Sequence, residues 1–541
     1  MLARVESTTD KTVEKASEDV EAVSFVSTVH KPLQRKLKNR HITMMSIAGV
    51  IGTGLFLGTA TSLRNGGPLG LLLGYGLMGT LCYAVMISVG EMVAFLPVVG
   101  GHIKLAERFV DQAFSFTMGW NYVFNWLIVL PAELSASAVL IGFWDSETNP
   151  AAWISLCLVL ASRLRLLPLC IDIPPSGAYG ETEFWFGKPQ SIKVVTVTAL
   201  IIGGIVLDLG GGPHHNRIGF RYWKDPGPFT QFHEIPGAKG RFLSWWAVTI
   251  QAAFSFVGTE IVAIAAGEAK DPRRNLTKSI RRVCFRIIVF YMGGVFIIGL
   301  LVPSNDPHLA LADGTAAASP FVIAIKAAGL SGLPSVINAA VLTSAWSAAS
   351  SDLYISSRAV YTLALVGSAP RIFLKTNKYG TPWIAVSFCS LFTLLAYMSV
   401  SNGAGNVFQW FVNMTGMWWF GISLTYIRFY RGYKAQGRNR RELPYASRLQ
   451  PYAAWYSLVV SLLVSIFSGW TVFLSNSWVA SYSYIRAGFP LLYLGSRMYK
   501  KSSFVGFMEM DFETSVEDFD RDAPEEDSTR NGVEKLWSWI A

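Results

Sequence analysis

Charge is what this sequence has least of. Only 15% of its 541 residues are Asp, Glu, Lys or Arg, against about 25% in soluble domains, which excludes a string of ordinary water-soluble domains. Cysteine is scarce too. Cys82, Cys157, Cys170, Cys284 and Cys389 form no CxxC pair and no even-numbered framework. A disulfide scaffold is therefore not expected, and the thiols should be free and act as small hydrophobes. The seven histidines (His30, His41, His102, His214, His215, His233 and His308) all fall in polar segments, which argues against a haem or metal centre inside a bilayer. No metal and no cofactor is predicted. Residues 1–40 lack the basic, apolar and small-residue regions of a signal peptide and read as a disordered cytosolic tail.

What the sequence has in abundance is apolar and aromatic residues. Hydrophobic types make up 51% of it, with 18 Trp, 34 Phe and 48 Gly, the composition of aromatic belts and close helix crossings in lipid. Apolar stretches long enough for a hydrocarbon core of about 30 Å run over 43–63, 69–96, 118–144, 150–172, 191–208 and 242–266. They continue over 285–303, 320–347, 382–400, 406–427, 453–474 and 478–497. The expectation is an all-α polytopic membrane protein with twelve transmembrane helices. A helical domain over 41–500 would be followed by an acidic cytosolic tail over 501–541.

The net charge of +10 does not point to nucleic acid, because the basic residues sit in short loops and form no continuous face. Arg35 to Arg40, Lys104 and Arg108, Lys270 to Arg286, Arg371 to Lys378 and Arg428 to Arg441 fall in alternate loops. The loops 145–149, 304–319 and 401–405 between them hold no Lys or Arg. By the positive-inside rule both termini are cytosolic.

The first and sixth spans match each other locally: Val50-Ile51-Gly52-Thr53-Gly54 parallels Phe256-Val257-Gly258-Thr259-Glu260. A matched pair of glycine-interrupted helices points to an inverted repeat with a binding site between its halves. An unwound Gly52-Thr53-Gly54 aims free N–H groups and a positive dipole end at a carboxylate. Carbonyls freed where the helices stop suit an ammonium group. Backbone alone can thus hold both ends of an α-amino acid. Three ionisable residues lie within apolar spans, Glu133 after Pro131, Lys193 at the start of the fifth, and Glu260 at the interruption of the sixth. Such residues are functional-site candidates by default. Burial penalises a carboxylate's charge, so that a proton can come and go, and a buried ammonium can stand where a sodium ion otherwise would. Glu91, Lys326 and Arg486, near span ends, are read as structural.

These stretches resemble the yeast amino acid transporter family of fungal amino-acid permeases, within the amino acid–polyamine–organocation superfamily. The resemblance runs through Gly49 to Phe56, Gly119-Trp120-Asn121-Tyr122, Pro131 to Ala136 and Gly219 to Trp223. It continues in Phe254 to Glu260, Gly267 to Arg273, Leu443-Pro444-Tyr445 and Gln450 to Trp455. It implies a LeuT-like five-plus-five inverted repeat with broken helices 1 and 6, and proton-coupled import of L-amino acids at the plasma membrane. Carried over, it puts the substrate carboxylate at Gly52, Thr53 and Gly54, with Gly258 at the second break. The amino group would meet the carbonyls of Val50 and Val257, with Phe254 as the aromatic cap. Glu260 would be a gating carboxylate, and Lys193 a replacement for sodium. Residues 266–272 and 450–455 resemble the dicarboxylic branch, implying an acidic or broad substrate range.

The chain departs from the pattern in three places. Arg163 and Arg165 interrupt the fourth span, residues 187–190 look inserted before Lys193, and residues 414–418 look short. An inactive permease and a non-transporting amino-acid sensor are accordingly the alternative readings. The family resemblance also implies ubiquitin-ligase machinery acting on the cytosolic tails, with Lys11, Lys15 and Lys31 as the N-terminal acceptors. Changing all three to Arg should block nitrogen-triggered internalisation of a fluorescently tagged protein in fungal cells; unaltered internalisation would remove these lysines as acceptors.

Overall fold

The computed structural model describes residues 51–98, 100–145, 147–159, 188–213, 215–232, 235–261, 280–309, 319–330, 332–377, 381–402, 407, 411–412, 419–468 and 480–513. Among them no strand occurs. Val50, the segments 161–187 and 414–418, and Lys11, Lys15 and Lys31 lie outside the described residues.

A π-helical turn, Gly54–Gly58, leads into α1 (Thr59–Phe95). Gly67, at φ 71°, bends α1 just before Pro68, so the first two spans run on through a turn that only glycine enters without strain. A Cβ on Gly67 would lie 2.8 Å from the Pro228 carbonyl, and Leu69 N–H donates to that oxygen at 2.9 Å. Then come α2 (Gly101–Phe109) and α3 (Gln112–Ile141), the latter capped by Asp111, whose side chain accepts from Phe114 N–H at 2.5 Å. The helices α4 (Pro150–Val159), α5 (Lys188–Asp208) and α6 (Gly237–Phe256) follow. After these come α7 (Gly293–Leu301), α8 (Pro320–Ala327) and α9 (Leu333–Leu365). The described chain continues through α10 (Trp383–Leu391), α11 (Trp419–Ala435), α12 (Tyr452–Phe467) and α13 (Ala480–Lys500). Among the described residues four helices are long and apolar enough to cross a membrane: Gly54–Phe95, Gln112–Ile141, Ile280–Leu301 and Trp383–Ser401.

The eighth expected span needs correction. Residues 320–347 do not form one helix: the chain turns through Gly329 (φ 78°) and Gly332 (φ 93°). A new helix then starts with Pro334 in its first turn and runs to Leu365. Hydropathy hid this because both pieces are apolar. The consequence is that Asp352 and Arg358 are inside a helix, not beyond one.

The most extensive packing joins α1 to α6 and α3 to α9. Glycines let α1 and α6 approach closely; a Cβ on Gly74 would meet Val248 Cγ1 at 2.8 Å. At the end of the bundle where α1 finishes, Glu91 is fully buried. It accepts from Tyr426 O–H at 2.5 Å, Ser447 N–H at 2.6 Å, and Arg440 Nη2 at 2.5 Å and Nε at 3.1 Å. These bonds tie α1 to α11 and to the 440–447 loop. His102, expected in a solvated segment, is fully buried on α2, with its ring edge-on to Tyr122 at 5.0 Å. Burial pushes its imidazole down to about 3, so it stays neutral.

The first residues of the expected tail are packed on the bundle. Residues 504–513 lie across this same end as a strap. Val505 N–H donates to Val110 O at 2.9 Å, and Gln436 Nε2 donates to Met510 O at 2.7 Å. Arg108 pairs with Asp511 at 2.9 Å. Phe512 is buried, stacked on Phe109 at 5.4 Å and edge-on to Tyr433 at 5.4 Å. Acidic composition predicted a solvated tail, but one buried aromatic and one methionine outweigh it locally. Phe512→Ala removes that anchor, at a cost of about 3 kcal/mol. Residues 504–513 should then become protease-sensitive and lose hydrogen-exchange protection; unchanged protection would mean that the polar contacts alone hold the strap.

Candidate functional site

The sixth helix does break where expected. α6 ends at Phe256; Val257 then turns extended (ψ 139°), and Gly258 takes φ 93°. A Cβ on Gly258 would sit 3.0 Å from the Trp126 ring and in a strained conformation. Thr259 stabilises the broken end from below, its hydroxyl donating to Phe256 O at 2.7 Å while accepting from Arg286 Nη2 at 3.1 Å. Tyr291 O–H donates to Ser255 O at 2.8 Å. Residues 262–279, following the break, and the residues before Ile51 lie outside the described residues. On the first helix the chain is non-helical at Ile51 and Gly52, and helix begins at Thr53. Ser344 Oγ of α9 donates to the freed Ile51 carbonyl at 3.2 Å.

Both breaks face one small cavity, whose wall includes Gly52, Gly54, Glu133, Phe254, Val257 and Asp352. Glu133 projects from α3 directly against the first break: its Oε1 accepts from Thr53 N–H at 3.4 Å, and a Cβ on Gly52 would lie 2.6 Å from that same oxygen. Gly54 is pressed against the other break, where a Cβ would meet Ser255 Cα at 2.9 Å. Lys193 of α5 is fully buried and lies within electrostatic reach of both Glu133 and Asp352. Glu260 is also fully buried but is not on the cavity wall; it sits behind the second break, accepting from Trp419 Nε1 at 3.3 Å.

Among relatives of known name, 91% of this chain aligns at 38% identity with 82% of the dicarboxylic amino acid permease of Saccharomyces cerevisiae. The lysine-specific permease of the same yeast is 37% identical, with 94% and 83% covered. The family model described as amino acid permease matches residues 41–502. The chain belongs to the amino acid permease family. The permease also shares its fold with a solved manganese transporter from Eremococcus coleocola, at a TM-score of 0.50 and 11% identity over 86% of this chain and 94% of that one. The all-helical class expected from the sequence is the one observed among the described residues.

Two charged residues of the permease's core escaped the sequence reading. Asp352 was lost because the eighth span was ended too early; the signal was the apolar run continuing through Leu353 to Leu365. Arg286 was counted with the basic loop residues, yet it is fully buried beside the second break. Its signal was its place directly before Ile287-Ile288-Val289.

The close approach of Gly52 to Glu133 makes a sharp test. Gly52→Val puts three carbons where Glu133 Oε1 already lies, and should abolish uptake by at least a hundredfold while the protein still reaches the membrane. Normal uptake by a correctly located variant would remove the first-helix break from the site.

Proposed function

We propose that this permease imports L-amino acids across the plasma membrane by proton-coupled alternating access, through twelve spans with both termini cytosolic. One observation carries the reading: two helix breaks face one cavity that also holds a buried carboxylate. The Gly52-Thr53-Gly54 N–H groups would take the substrate carboxylate, and carbonyls at Val50 and Val257 its ammonium group. Phe254 would close over the side chain, and Gly258 would serve as the hinge.

In this reading Glu133 carries the proton and Lys193 supplies the fixed positive charge that makes sodium unnecessary. Glu260, behind the hinge and tied to Trp419, couples the sixth helix's position to α11. Carrying one charge through the membrane field is worth about 2.3 kcal/mol per 100 mV, enough to drive accumulation. The 38% and 37% identities to permeases named for dicarboxylic amino acids and for lysine are too close to choose the substrate's charge. An acidic or broad range rests on the resemblance of residues 266–272 and 450–455.

Uptake of radiolabelled amino acids by a permease-deficient yeast, competed by each of the twenty in turn, identifies the substrate. It should rise as external pH falls from 7 to 5 and ignore sodium. Glu133→Gln should retain exchange but lose that rise. Sodium-dependent, pH-insensitive uptake would overturn proton coupling, and binding without uptake would make the protein a sensor.

A further inference from the structure

The strongest unexplained feature lies inside the proposed substrate site. The N–H group of Thr53, where a substrate carboxylate would bind, is already held by a carboxylate of the protein. Glu133 Oε1 is 3.4 Å from Thr53 N and packs on Gly52. Glu133 is 3% exposed, and its second oxygen, Oε2, has no hydrogen-bond partner among the described residues. A helix start is an anion site by its dipole and free N–H groups; here a buried, incompletely satisfied carboxylate is aimed into it.

We propose that Glu133 is an internal competitor for the substrate's carboxylate, occupying its place on the first-helix break until a proton removes its charge. Two carboxylates cannot share one N–H cluster in a low dielectric, because like charges at contact repel strongly. The incoming substrate therefore binds only as Glu133 takes a proton from water on the open side and its neutral carboxyl swings off Thr53. On the other side, release of the substrate's carboxylate lets Glu133 return its proton to water and reoccupy the site. This rests on the reading of the site as an amino-acid site, and it deepens that reading by making proton uptake a condition of binding. The groups facing Glu133 fit the exchange. Lys193 on α5 stays as countercharge in both states, while Asp352 on α9 is a second acid on the same wall. Glu260 is turned away toward Trp419.

The mechanism predicts an unusual sign. A carboxylate that only neutralised the substrate's ammonium would weaken binding when removed; a competitor strengthens it. Binding of radiolabelled L-glutamate, and in parallel L-lysine and L-proline, is measured on the purified full-length protein from pH 5 to pH 8. For the wild type the apparent Kd should climb toward tenfold per pH unit at the alkaline end, as expected when one proton must bind with the ligand. Glu133→Gln should flatten this dependence and bind at least tenfold more tightly than wild type at pH 8. Glu133→Asp keeps the charge but is one methylene shorter, so it should also bind more tightly than wild type at pH 8. Weaker binding by Glu133→Gln at pH 8, or retention of the wild-type slope, overturns the proposal. So does transfer of the effect to Asp352→Asn. Because binding is read without transport, a protein that binds this way but fails to accumulate substrate would sink only the import reading.

Discussion

A helix that stops inside an apolar bundle leaves peptide N–H and C=O groups where no water can reach them, and each such group must find another partner. Around the two breaks of this permease most of those needs are met by fixed neighbours. Ser344 takes up the Ile51 carbonyl, Thr259 takes up Phe256, and Tyr291 takes up Ser255. Both breaks line one cavity, between α3, α6 and α9, whose wall also holds the carboxyls of Glu133 and Asp352.

The buried acids divide by how completely they are satisfied. Glu91 has four donors around it, including a two-pronged guanidinium, and such saturation fixes a geometry. Glu133 has one long hydrogen bond, and Asp352 and Glu260 each keep an oxygen without a partner among the described residues. A saturated carboxylate is a bolt, whereas an undersatisfied one can change charge or position at little cost. That division separates the frame at the Glu91 end from the groups able to take part in a transport cycle.

The same end of the bundle carries the strap over 504–513, which ties α2 and α11 together through Phe512, Asp511 and Gln436. Phe512 also packs on Phe95 of α1, the helix that bears Glu91, and on Tyr433 of α11, the helix that bears Trp419. Membership of the amino acid permease family agrees with this construction, although the named substrates of close relatives differ in charge.

Read alone, the sequence determined the membrane character, the helical class and the breaks at Gly52 and Val257-Gly258, because long apolar runs, scarce charge and glycine at mid-span are local properties. It also marked Glu133, Lys193 and Glu260, since an ionisable residue in an apolar run stands out wherever it folds. Only the tertiary structure decided which of these meet. Glu133 comes from α3 onto the first break, Lys193 joins it from α5, Asp352 enters from a helix whose limits hydropathy had blurred, and Glu260 is held apart against Trp419. Phe512, in an acidic tail, and Arg286, in a basic loop by composition, became core residues. The reason is physical: burial and electrostatic partnership are relations between distant segments, set by which helix faces pack together, and no single segment carries them.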